Sequence, residues 1–149
     1  MNTLELEHRF EEIYGKRAEH TYFAPGRVNL IGEHTDYNGG LVFPCALSFG
    51  TYLLIAKRED RQNRFSSVNM DRSYTANANA FEDKPTAWIK YPIGVMKEFA
   101  ERGSDVWGYD LLYYGNIPNG AGLSSSASIE VVTAVMLNRQ NRFSSVNMD

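Results

Sequence analysis

The chain has 149 residues, 43% of them hydrophobic, and a formal net charge of −3. That is a one-domain length, able to bury roughly 70% of its unfolded surface, and the composition excludes a disordered chain. The acidic balance with dispersed basic residues excludes a nucleic-acid footprint, and no apolar run approaches the ~20 residues of a membrane span.

Residues 3–14 are predicted to form an amphipathic helix, with Leu6, Phe10, Ile13 and Tyr14 on one face and Glu5, Glu7, Glu11 and Glu12 off it. Asn2 caps it, Glu5 completes a capping box, and Gly15 marks the stop. The acidic start does not have the character of a signal or transit peptide, and the protein is expected to be cytoplasmic. Extended segments follow at 21–23, 27–31, 41–47 and 51–57, with Asn38-Gly39-Gly40 supplying turn chemistry. Thr51-Tyr52-Leu53-Leu54-Ile55-Ala56 is apolar on both alternating faces, as a strand covered on both sides should be. The lone cysteine, Cys45, excludes an internal disulfide and reads as a small buried hydrophobe. Lys57, Arg58, Arg61 and Arg64 read as a solvated strand end.

Residues 64–69 are a further strand, and 73–83 a loop or weak edge strand. Trp88, Ile89, Pro92, Val95, Met96 and Phe99 have helical spacing, and Pro92 requires that helix to kink or begin late. A strand at 109–114 precedes a helix at 127–137 that is apolar nearly all round, the mark of burial. The order predicts an α+β fold, a mixed sheet with helices on one side.

The eleven residues 61–71 recur without change as residues 139–149. Solenoid repeats are diverged and each forms a full supersecondary unit, so two perfect copies of a fragment indicate a rearrangement. Residues 1–138 are assigned to the domain proper and 139–149 to an artefactual or disordered tail. Residues 140–149 are expected to pack poorly.

Two segments carry chemistry. In Ala24-Pro25-Gly26-Arg27-Val28-Asn29-Leu30-Ile31-Gly32-Glu33-His34-Thr35-Asp36-Tyr37-Asn38, a short strand between glycines ends in Glu33, His34 and Asp36. Two carboxylates and an imidazole suit a ligand rich in hydroxyls, although each residue alone also suits a solvated turn. In Gly115-Asn116-Ile117-Pro118-Asn119-Gly120-Ala121-Gly122-Leu123-Ser124-Ser125-Ser126-Ala127, a glycine-rich turn opens a helix. Free backbone N–H groups and the positive helix end favour phosphate there, and serine hydroxyls suit magnesium. The segment has neither the Walker A nor the GxGxxG spacing, and alone it also reads as a capping segment. Together the two segments suggest phosphoryl transfer to a hydroxyl.

The run from Gly26 to Tyr37 closely resembles the signature of galactokinases, and Gly122-Leu123-Ser124-Ser125-Ser126-Ala127 resembles the phosphate loop of the wider family. That family includes homoserine, mevalonate and phosphomevalonate kinases. The resemblance implies the N-terminal portion of an enzyme that phosphorylates galactose at its anomeric hydroxyl with ATP and Mg2+. It implies that Glu33, His34 and Asp36 hold sugar hydroxyls and that Arg27 stabilises the transferred phosphoryl group. Gly120, Ala121, Gly122, Leu123, Ser124, Ser125 and Ser126 would wrap the ATP phosphates, with Ser126 as metal ligand. Trp88 would lie near the adenine or in the core. It further implies that the catalytic base, the acidic metal partner and the C-terminal domain lie outside the sequence, leaving no useful turnover, exposed apolar faces and low solubility. The alternatives are a non-catalytic sugar or nucleotide sensor and a non-functional rearranged fragment.

Overall fold

A computed structural model describes residues 1–70, 73–77, 81, 87–117 and 125–145, apart from the side chains of Asp36, Ala87 and 143–145. Helix α1 spans Thr3–Tyr14 with the expected ends. Asn2 Oδ1 accepts from the Glu5 N–H at 2.9 Å while Glu5 Oε2 accepts from the Asn2 N–H at 2.8 Å. Gly15, in the left-handed region at φ 70°, closes the helix by donating to Glu11 O.

Five strands form one mixed sheet: β1 (His20–Ile31), β2 (Phe43–Lys57), β3 (Asn63–Ser67), β4 (Tyr74–Ala76) and β5 (Tyr109–Gly115), in the order β1-β2-β5-β3-β4. All neighbours are antiparallel except β3 and β5. The four extended segments read from sequence fuse into two long strands, because a register shift between Pro25 and Arg27 absorbs the interruption in β1. Opposite it, Gly50 is required by close approach, since a Cβ there would stand 2.1 Å from Ala24 O. The segment at 73–83 contributes only the three-residue edge strand β4.

Alternation along the central strands builds two cores. Leu53, Ile55, Leu111 and Tyr113 face α2 (Lys90–Glu101) and α3 (Ser125–Ser145), whereas Leu54, Ala56 and Leu112 meet Leu6 and Phe10 of α1. Helices α2 and α3 thus share one side as expected, and α1 takes the other. Helix α2 begins late, after a 3-10 turn at Ala87–Ile89, so Pro92 falls in the first helical turn, where its missing N–H leaves no bond unmade. Helix α3 buries Val132, Met136 and Leu137 but leaves Val131 and Val135 exposed, so it is not covered all round. Among the described residues, no helix is long and apolar enough to cross a membrane.

The basic residues at the end of β2 are not merely solvated. Asp110, fully buried in β5, has Arg64 Nε at 2.6 Å and Arg58 Nη1 at 3.0 Å from Oδ1, and Lys16 Nζ at 2.9 Å from Oδ2. Burial alone would push this carboxyl up, but hydrogen bonds from Arg64, Lys16 and Arg58 outweigh it and hold it below the usual carboxylate range. Arg61 pairs instead with Asp105 at 3.2 Å. Beside Asp110, burial pushes the Tyr14 hydroxyl up to about 12, and it lies 2.8 Å from Leu111 O.

Helix α3 runs without a break across 138–139 and through the copied residues to Ser145. Gln140 Nε2 donates to Tyr22 Oη at 2.8 Å, and Asn141 accepts from the Asp105 N–H at 2.9 Å. Poor packing therefore does not hold for Gln140 and Asn141. Residues 146–149 lie outside the described residues.

Candidate active site

The β1–β2 pair outruns the sheet. Gly115, where β5 ends, is the partner of Thr51, while Arg27 pairs with Ala46, about 17 Å further along at ~3.3 Å per residue. This arm carries the first candidate site at its tip.

The tip is organised around Thr35. Its Oγ1 donates at 2.6 Å to Gly32 O and lies 3.0 Å from Leu41 O, while its carbonyl accepts from the N–H groups of Asn38 and Gly40. Gly32, at φ 95°, has no room for a side chain, because a Cβ would stand 2.6 Å from Leu41 O. The 3-10 turn Asp36–Asn38 follows, and Asn38 Nδ2 donates to His34 O at 2.9 Å. His34 is held in the left-handed region at φ 60°, with Nδ1 2.5 Å from Tyr37 Oη. The turn therefore brings Glu33, His34 and the backbone of Asp36 together at the strand end.

Glu33, His34 and Arg27 are exposed. Among the described residues, the side chains of Glu33 and Arg27 have no hydrogen-bond or ion-pair partner, so both charges are open to a ligand. Arg27 stands on the arm behind the tip, between it and the body of the sheet. Sequence reasoning found the ionisable residues but missed Thr35, whose task is to hold the loop that presents them. Its signal was its place between two glycines that both crowd against it.

A cavity of about 120 Å³ lies where β3 and β5 end and α3 begins, lined by Thr51, Ser67, Asn69, Trp88, Tyr113 and Ser125 among others. Its walls are tied together. Asn69 exchanges two hydrogen bonds with the Gly115 backbone, at 2.8 and 2.9 Å. Thr51 Oγ1 and Ser128 Oγ lie 2.6 Å apart, fixing the first turn of α3 to β2. Trp88 belongs both to the core and to this cavity, packed edge-on to Tyr113 at 5.3 Å.

Ser125 and Ser126 open α3, and the positive end of a helix favours an anion. Gly120, Ala121, Gly122, Leu123 and Ser124 lie outside the described residues. Thr51, Ser67 and Asn69 had no signal in the sequence, because they meet only through strand pairing. The donor chemistry fits a magnesium ion in part: Ser126 offers a hard hydroxyl oxygen, but among the described residues no three His, Cys, Asp or Glu side chains converge.

Two family models match the chain: the galactokinase galactose-binding signature over residues 8–57 and the GHMP kinases N terminal domain over residues 90–148. The galactokinase of Clostridium tetani is 50% identical over 139 residues, covering 93% of this chain and 36% of that protein. That of Fusobacterium nucleatum is 54% identical over 133 residues, covering 86% of this chain and 34% of its own length. The crystal structure of Lactococcus lactis galactokinase complexed with galactose matches with a TM-score of 0.82 at 38% identity, covering 91% of this chain and 36% of that one. The chain spans about a third of the length of these relatives.

Proposed function

We propose that the chain is the N-terminal part of a galactokinase and that the protein carrying it phosphorylates galactose at the anomeric hydroxyl with ATP. The observation that carries this reading is the tip of the arm, where a loop locked by Thr35 presents Glu33 and His34 at one strand end, beside the backbone of Asp36.

In this reading Glu33 and Asp36 accept hydrogen bonds from sugar hydroxyls and His34, oriented by Tyr37, adds a third polar group. Arg27 stabilises charge on the phosphoryl group as it passes toward the sugar. The segment 120–126 cradles the ATP phosphates, and the cavity beside Ser125 adjoins that end of α3. Ser126 would hold Mg2+, which neutralises phosphate charge when bound. The expected setting is the cytoplasm.

Residues 1–149 by themselves are expected to bind galactose weakly and to show no useful turnover, since positioning and charge neutralisation are shared with the rest of such an enzyme. The test is ATP-dependent phosphorylation by the protein carrying this segment, with galactose, glucose and mevalonate compared. Turnover confined to galactose is expected, and its absence overturns the assignment. The perfect copy of residues 61–71 at 139–149 favours one further reading, a rearranged product without activity. Sequencing the transcript beyond Leu137 decides it: a continuing kinase frame removes that reading, and a stop after Asp149 supports it.

A further inference from the structure

One sequence adopts two structures in this chain. Residues 63–67 form β3, between β5 and β4, whereas the same five residues at 141–145 close helix α3. Tertiary contact, not local propensity, decides between them.

The position filled by β3 makes specific demands. Its first residue, Asn63, accepts from the Tyr109 N–H at 3.0 Å and donates to Val106 O at 2.8 Å. Its second, Arg64, reaches the buried Asp110, and its third, Phe65, is fully buried. The second copy has the identical side chains at 141, 142 and 143.

The second copy also stands beside that position. Asp105 is held by Arg61 of the first copy and by Asn141 of the second, which accepts from the Asp105 N–H and donates to the Asp105 carbonyl. The two asparagines thus perform the same pairing on neighbouring stretches of one turn. Polarity agrees as well: β3 runs parallel to β5 from Asn63 opposite Tyr109, and α3 delivers Asn141 to that same end. A strand following α3 there would complete the helical crossover that parallel neighbours require.

We propose that residues 141–145 are an alternative occupant of the β3 position, able to unwind from the end of α3 and replace residues 63–67 within the same molecule. The displaced first copy then becomes part of a loop between β2 and β4. The intramolecular route is favoured over exchange with a second molecule because Asn141 is already in contact with the turn that borders the position.

The test uses the full chain with Phe65→Asp, Phe143→Asp and both together, read by amide hydrogen exchange in peptides distinguished by their flanks. F65D is expected to remain folded with β5 protected and residues 63–67 exchanging at least a hundred-fold faster. The double variant is expected to lose protection of β5. F65D unfolding like the double variant, F65D keeping 63–67 protected, or the double variant protecting β5 as well as F65D does, would each overturn the proposal. F143D gives a reading that does not disturb β3. By removing the competitor it should slow exchange at 63–67 several-fold, and an unchanged or faster rate refutes the exchange.

Discussion

Asp110 lies in a strand that otherwise reads Tyr109, Leu111, Leu112 and Tyr113, and nothing local marks it as the meeting point of Lys16, Arg58 and Arg64. Replacing it with Asn leaves Lys16 and Arg64 without their counter-charge and Arg58 with Asp60 alone, at a cost of about 3 kcal/mol, measurable by urea unfolding at neutral pH. The sign of the pH dependence follows from the lowered carboxyl. Its contribution is present above the unfolded value of about 3.9 and is lost as pH falls through the lower folded value. The stability of the parent chain should therefore drop along that acid limb, and Asp110→Asn should flatten it; equal slopes in the two proteins would refute the assignment. At the arm tip, Gly32→Ala forces a side chain into 2.6 Å of Leu41 O at φ 95°. The loop presenting Glu33 and His34 must shift, so galactose KM in the protein carrying this segment should rise at least about tenfold, while KM for ATP stays nearly constant.

Elements divide by how local their determinants are. Helix α1 was legible to the residue, because its cap, its capping box and its glycine stop lie within a few positions of the apolar face they bound. That α2 had to kink or begin late was legible from Pro92 for the same reason, and the late start is what the structure adopts. The fusion of four extended segments into β1 and β2 was not, since it depends on the pairing across Pro25 and Gly50. Of the candidate site, Glu33, His34 and Arg27 were legible only as ionisable groups on and beside one strand, while Thr51, Ser67 and Asn69 were invisible because strand pairing alone brings them together. Identical residues in β3 and α3 mark the limit of local reading, and they allow a controlled comparison. Each asparagine satisfies two backbone groups, but Asn63 is fully buried whereas Asn141 is half-buried on a helix, where water can replace the lost partners. Asn63→Ala should cost about 2–3 kcal/mol and Asn141→Ala under about 1 kcal/mol in the same denaturation experiment. Equal losses would show that the two copies carry equal structural weight.

At the scale of the molecule, the arm gathers several of the most exposed apolar side chains. Leu41, just before β2, is 95% exposed, and Ile31 at 72% and Leu30 and Phe43 at 62% each lie on the part of the β1–β2 pair that no third strand joins among the described residues. Val131 and Val135 leave a second apolar strip on α3. Relatives about three times as long have further chain with which to cover such faces; residues 1–149 alone have only solvent or one another. Association through apolar area is only weakly screened by salt, whereas association through surface charge weakens as salt rises. The isolated chain should therefore self-associate with increasing concentration, and added salt should not reverse it. Leu41→Ser with Phe43→Ser removes apolar area at the arm without touching either core, since both residues lie outside the buried clusters. Sedimentation velocity should then show the species distribution moving toward monomer with little change in Tm. A double variant that still associates as the parent does would place the contact elsewhere, with the Val131–Val135 strip of α3 as the next surface to change.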